Sequence, residues 1–199
     1  MKKLLLFCCF LSFMGQLQAQ EGIYGKWQGT LSLGQYAASL AVPKLIPIRA
    51  GIQAGAIYQW NDNKKHQFTQ SANLAYFYHR NLQHAVQLYT EGGYQIHLEN
   101  GLQINPFSIG GGYVASVGDM DSYIWNTETN KYEATGRDFR NNWMISLGFG
   151  LGYETDIEIA ERPVTFYLNY RLQVQGIIVK ENVPVMAYSP IMFGISLPI

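Results

Sequence analysis

Four charged residues, Arg49, Glu91, Glu154 and Arg171, fall in stretches of chain that carry little other charge. Two cations and two anions brought together out of water do one of two things. They neutralise one another in hydrogen-bonded pairs that hold a shape, or they form a constriction that selects or gates small ions. Pairing is the simpler expectation, because an isolated charge in a low-dielectric interior is heavily penalised.

His79 and His84 offer a second chemistry, since they flank a short turn containing Arg80. A histidine acting as general base needs a nucleophile within hydrogen-bond reach and a partner that orients the ring. No His-x-Ser pair adjoins either residue, and no third ligand completes a metal site. Solvated histidines at an interface are therefore expected, with no metal, no cofactor and no catalysis. His97 is expected to be a hydrogen-bonded lining residue. Gly110-Gly111-Gly112 precedes no helix start, so it is no phosphate cradle. Glycines in a strand instead permit bending or close packing, and Gly148, Gly150 and Gly152 are read as room for Tyr167 or Arg171. Gly118 to Asn142 holds five acidic residues without the regular spacing of a calcium loop. A solvated loop is expected there, and its aromatics Tyr123, Trp125 and Tyr132 are the residue types of a recognition surface.

The elements that must position these residues follow from periodicity. From Trp143, every second residue is apolar or aromatic: Ile145, Leu147, Phe149, Leu151, Tyr153. The pattern returns at Val164, Phe166, Leu168, Tyr170, Leu172 and Val174. A period of two marks extended strands with one oily face. Ten steps from Trp143 to Tyr153, at about 3.3 Å each and tilted by about 40°, rise roughly 25 Å, the height of the apolar band of a membrane barrel. A membrane-crossing helix needs about twenty apolar residues in a row, and none follows residue 19. The expected fold is all-β: a transmembrane, antiparallel, up-and-down β-barrel with its oily face outward.

Residues 1–19 read as a secretory signal, with Lys2 and Lys3 before the apolar run Leu4 to Met14 and a cleavage site after Leu17-Gln18-Ala19. Both cysteines, Cys8 and Cys9, lie inside it, so the exported chain has no disulfide or thiolate chemistry. Residues 20–199 form one domain without linker or repeat. Two of the 14 basic residues belong to the leader, leaving 12 against 14 acidic ones, which is no footprint for nucleic acid.

Strands are expected over Gln28–Leu40 (the weakest), Ile46–Trp60, Phe68–Tyr78, Val86–Leu98, Leu102–Val117, Trp143–Glu154, Val164–Gln175 and Val185–Ile199. A bulge at Pro106 absorbs a slip in parity within the fifth. Eight strands satisfy the even count of such barrels, and ten are reached if the N-terminal region or a loop hides a hairpin. The long loop then lies outside, and 61–65, 99–101 and 155–162 face the periplasm. A soluble barrel with its oily face inward is the structural rival. It would carry lysine along its strands, whereas the lysines after residue 19 lie at ends, turns and loops.

The ending Gly194-Ile195-Ser196-Leu197-Pro198-Ile199 is similar to the terminal signal read by the barrel-assembly machinery, although its last residue is not aromatic and Pro198 departs from the pattern. With stretches such as His66 to Leu74, the chain resembles the small outer-membrane β-barrels of Gram-negative bacteria. That porin-like superfamily is eight-stranded and includes the OmpA membrane domain and the OmpX type. The resemblance implies an outer-membrane location, contact with membrane lipid and lipopolysaccharide, insertion by the assembly machinery, and no particular activity. Three functions follow as expectations. The first is a structural, envelope or surface-interaction barrel whose polar lumen is filled by side chains. The second is a narrow channel or small-ligand-binding barrel, and the third is a lipid A-modifying enzyme.

Overall fold

The computed structural model describes residues 27–39, 49–137, 139–159, 162–179 and 183–199. The leader and the first part of the second expected strand lie outside them. Eight strands close into an antiparallel barrel: β1 (Trp27–Ala37), β2 (Ala50–Gln59), β3 (His66–His79), β4 (Gln83–His97), β5 (Leu102–Gly118), β8 (Phe139–Ile159), β9 (Arg162–Val179) and β10 (Val183–Pro198). Each pairs with its neighbour in sequence, and β1 closes the ring against β10, with Leu31 opposite Ile195. The even count returns Trp27 and Ile199 to the same end, where Ile199 N–H donates to Trp27 O at 3.2 Å. We call this the terminal end and the opposite one the loop end. Because outer loops are longer than periplasmic turns, the loop end is the outer one.

The side-chain alternation is outward-apolar. Ile145, Leu147, Phe149 and Leu151 are each more than half exposed, while Met144, Ser146 and Gly148 between them face in. Aromatics bracket this band: Tyr76, Tyr113 and Trp143 towards the loop end, and Trp27, Tyr58 and Tyr153 towards the terminal end. Such a surface suits acyl chains, because closing the ring leaves the barrel sheet without a free edge.

Several boundaries differ from the sequence expectation, among them the end of β9, which runs to Val179 rather than Gln175. The region 118–142 is not a plain loop: β6 (Ser122–Asn126) and β7 (Lys131–Gly136) form a two-stranded hairpin outside the barrel sheet, and β8 already begins at Phe139. This is the hidden hairpin that a count of ten allowed, yet the barrel remains eight-stranded. β8 also continues to Ile159, through residues expected to turn. The first strand ends at Ala37. The slip at Pro106 is present: from Asn105 to Ser108, β5 advances three residues while β8 advances only from Gly150 to Gly148.

Candidate functional site

The lumen is where buried chemistry concentrates. An eight-stranded barrel is just wide enough for its inward side chains to fill it, so facing strands touch across the middle. β4 and β9, separated by two strands on one side of the ring, meet in three rungs. At mid-height Arg171 Nε donates to both Glu91 oxygens at 3.1 and 3.0 Å. Above it Gln87 Nε2 donates to Gln173 Oε1, and above that Gln83 Nε2 donates to Gln175 Oε1, each at 3.2 Å. The ion pair is further held by Ser146 Oγ, which donates to Glu91 at 2.6 Å, and by Gln53 Oε1, which accepts from Tyr89 at 2.8 Å and from Arg171 Nη1 at 3.5 Å. Both charges are almost wholly buried, so their pairing offsets a desolvation that neither tolerates alone. Gly110 lies opposite Glu91, where a Cβ would collide with the Glu91 backbone at 2.7 Å; Gly148 lies opposite Arg171, 3.1 Å from its Cγ. Room for Tyr167 comes instead from Gly194, whose added Cβ would stand 2.8 Å from the ring.

The four charges do not form one cluster. Glu154 lies eight residues down β8 from Ser146, roughly 20 Å along the barrel axis. There it accepts from Gln103 Nε2 at 2.7 Å and meets His97 Nδ1 at 3.2 Å. Arg49 sits at the loop end, four residues above Gln53, and acts electrostatically on His79 and Tyr188. Only Arg171 and Glu91 are brought together. Spacing along a single strand gives height, but facing across the barrel depends on stagger, which the sequence does not display.

Nor is the lumen polar throughout. Around the two glutamine rungs the outer half is a packed apolar core: Tyr36 stacks on Phe77 at 4.3 Å, Phe77 meets Tyr188 edge-on at 5.0 Å, and Met144, Met192 and Val114 fill the remainder. Apolar lumen residues such as Met144 and Phe77 were not expected from the sequence. The inward parity of both was the available signal. Tyr36 and Tyr188 also donate or accept towards the rungs, with Tyr36 OH 3.4 Å from Gln87 Oε1 and Gln83 Nε2 3.0 Å from Tyr188 OH.

The two histidines at the outer turn face opposite ways. His79 is half-buried in the lumen, its Nδ1 3.4 Å from Tyr188 OH, which corrects the expectation that it is solvated. His84 points outward, with Nδ1 2.9 Å from Tyr76 OH, its ring stacked on Tyr78 at 4.5 Å, and Nε2 3.5 Å from Asp119 Oδ1. Asp119 Oδ2 accepts from the Asn81 amide at 2.8 Å and from Tyr78 OH at 3.0 Å. These bonds, the backbone one foremost, hold the Asp119 carboxyl below the usual carboxylate range.

Beyond this latch the β6–β7 hairpin stands clear of the barrel. Its turn is fixed by Asn126 Oδ1, which accepts from Glu128 N at 2.9 Å, and by Glu133, which accepts from Asn126 Nδ2 at 3.0 Å and Thr129 Oγ1 at 2.9 Å. Trp125 opposes Tyr132, edge to face at 5.0 Å, and Tyr123 lies two residues from Trp125 on the same face. All three rings are exposed. Asp119 and Glu133 are occupied in local structure rather than gathered for an ion.

No family model and no curated sequence matches this chain. Among solved structures it is similar to Neisserial surface protein A (NspA), with TM-score 0.59 and 9% identity over 87% of this chain and 97% of that one. It is also similar to the outer membrane enzyme PagL, with TM-score 0.48 and 12% identity over 86% and 99% of the two chains. A third is Ail, the attachment invasion locus protein of Yersinia pestis, with TM-score 0.45 and 11% identity over 87% and 99%. The first of these likenesses carries the fold. The chain folds as a small eight-stranded antiparallel β-barrel whose outer face is apolar.

Proposed function

We propose that this protein is a non-conducting outer-membrane barrel that displays an ordered aromatic hairpin for recognition at the cell surface. One observation carries the reading: the outer half of the lumen is closed by two glutamine rungs and the Tyr36–Phe77–Tyr188 stack above the Arg171–Glu91 pair. A hydrated ion has no route through side chains in contact, so the interior serves to stiffen the barrel. The rigid turn and exposed rings of the hairpin support a surface role, since aromatic anchors on an ordered element lose little conformational entropy on binding. The test is single-channel recording of the refolded protein in planar bilayers. No steps above baseline are expected. Stable ohmic conductance that Arg171→Leu alters would overturn the proposal in favour of a narrow channel.

A second reading, a lipid-modifying enzyme, is favoured by one arrangement: His84 between the Tyr76 hydroxyl and the Asp119 carboxylate, facing the outer membrane surface. Asp119 would orient the ring, and Tyr76 supplies the hydroxyl that the sequence did not reveal. Mass spectrometry of lipid A from cells with and without the protein separates the two. An acylation change that His84→Asn removes would install the enzyme reading, and identical lipid A retires it.

A further inference from the structure

Below the Arg171–Glu91 pair the lumen changes character. Gly93 on β4 and Gly148, Gly150 and Gly152 on β8 face inward, and polar side chains lean over them. An added Cβ would stand 3.3 Å from Thr69 Oγ1 at Gly93, 2.8 Å from Ser108 Oγ at Gly148 and 3.1 Å from Gln103 Oε1 at Gly152. These four glycines are part of the lining of a cavity of about 70 Å³ whose upper end is the ion pair. Gln28, Thr165 and Ser196 line both it and a wider mouth of about 470 Å³ at the terminal end. The cavity is therefore blind above and open below.

Its walls narrow what it would hold. Arg171 and Glu91 neutralise one another, so the blind end offers no unpaired charge to an ion. The remaining polar side chains are amides and hydroxyls, among them Gln103, Asn105 and Asn169, with the Tyr167 ring on one side. Side-chain amides both donate and accept. A ligand of hydroxyl groups, which also do both, satisfies them, whereas a hydrocarbon would leave them stranded. At roughly 10–15 Å³ per water-sized volume the cavity has room for about five waters, near the bulk of one six-carbon sugar.

We propose that this cavity is a periplasm-facing binding site for a small neutral polyol, up to monosaccharide size. It goes beyond the surface role and is independent of it, because a sealed outer half and a ligand in the inner half read out separately. The absence of cysteine after residue 9 makes the test direct. Thr165→Cys and, as a second reporter, Ser196→Cys each place one thiol on the wall, and Lys131→Cys places a control on the outer hairpin. The rate of modification by a small cationic methanethiosulfonate is measured against glucose concentration in protein whose folded gel mobility is intact. Saturable slowing, at least fivefold, is expected at Thr165 and Ser196 and none at Lys131. Asn169→Leu should remove the protection without changing folded mobility. Modification independent of glucose, equal slowing at Lys131, or no modification at both wall positions would each overturn the proposal and leave a cavity that is merely hydrated or closed.

Discussion

Arg171 on β9 holds both carboxylate oxygens of Glu91 on β4 through a single nitrogen, Nε, at 3.1 and 3.0 Å. The two strands are not neighbours, so this contact ties opposite walls of the barrel at mid-height. Breaking it leaves a buried, uncompensated charge. Arg171→Met is expected to destabilise the barrel by about 3–5 kcal/mol, with the double variant Arg171→Met/Glu91→Leu recovering most of that loss. Urea unfolding from lipid vesicles, followed by tryptophan fluorescence, measures both. An Arg171→Met barrel as stable as the parent would show that the pair does not brace the walls.

The outer plug has no spare volume beside Gly51. A Cβ on Gly51 would run into the Tyr36 ring, which is itself stacked on Phe77. Gly51→Val is therefore expected to overpack the site, costing about 1–3 kcal/mol, and Phe77→Ala to leave a hole costing about 3–5 kcal/mol. Combining Gly51→Val with Phe77→Ala should cost less than the two losses added, since the Tyr36 ring that the valine displaces is stacked on Phe77 and moves into the space it vacates. The same unfolding series decides it. Strict additivity would mean that the two residues do not share a packing volume.

At the outer turn, Asp119 accepts the Asn81 amide, and Asn81 has a left-handed backbone, φ 61°. The folded carboxyl titrates below its unfolded counterpart. Its bonds are therefore fully present above the unfolded value, about pH 4, and are lost as pH falls through the lower, folded one. The Asn81 amide resonance should shift in acid with a midpoint below that of an ordinary aspartate, and Asp119→Asn should abolish the shift. A midpoint at or above pH 4 would sever this link between turn and loop.

Much of this architecture was legible in the sequence, and its limits are physical. Alternation from Trp143 to Tyr153 fixed the outward face, and the parity slip at Pro106 located the bulge, because both are properties of one strand. What faces what across the lumen is a property of the closed ring. Arg49, Glu91, Glu154 and Arg171 share an inward parity, yet stagger sets them at three heights. The hairpin at Ser122–Gly136 was obscured by its polar turn, Thr127 to Asn130, and by the unbroken apolar run Tyr123-Ile124-Trp125, which shows no alternation. The Tyr76–His84–Asp119 contact joins residues from a strand, its partner and a distant loop, a convergence that no local spacing announces.

The hairpin can be tested apart from the barrel. Replacing Tyr123, Trp125 and Tyr132 together with alanine removes the aromatic face without touching the Asn126–Glu133 bond that fixes the turn. Barrel stability should change by less than about 0.5 kcal/mol, as for surface substitutions remote from a core. Adherence of expressing cells to glycan- and protein-coated wells should fall to the level of cells lacking the protein. Unchanged adherence would remove the hairpin as the recognition element.

Leu147 and Ser146 are adjacent on β8 and separate the two environments on which the membrane assignment depends. Leu147 is half exposed on the outer belt, midway between Trp143 and Tyr153, and Ser146 is wholly buried against Glu91. An arginine at position 147 must place its charge at the depth where the bilayer solvates it least. Leu147→Arg is expected to cost about 2–4 kcal/mol in lipid vesicles. The equivalent change near the belt edge, Tyr153→Arg, should cost no more than about 1 kcal/mol, because charge there reaches the headgroups. A soluble barrel whose exposed leucine met water would show the opposite trend, since arginine at either site would be harmless or favourable. Depth-dependent destabilisation in lipid that vanishes on transfer to a short-chain detergent micelle would therefore identify acyl chains as the solvent of this face. Equal, small effects at 147 and 153 would refute it.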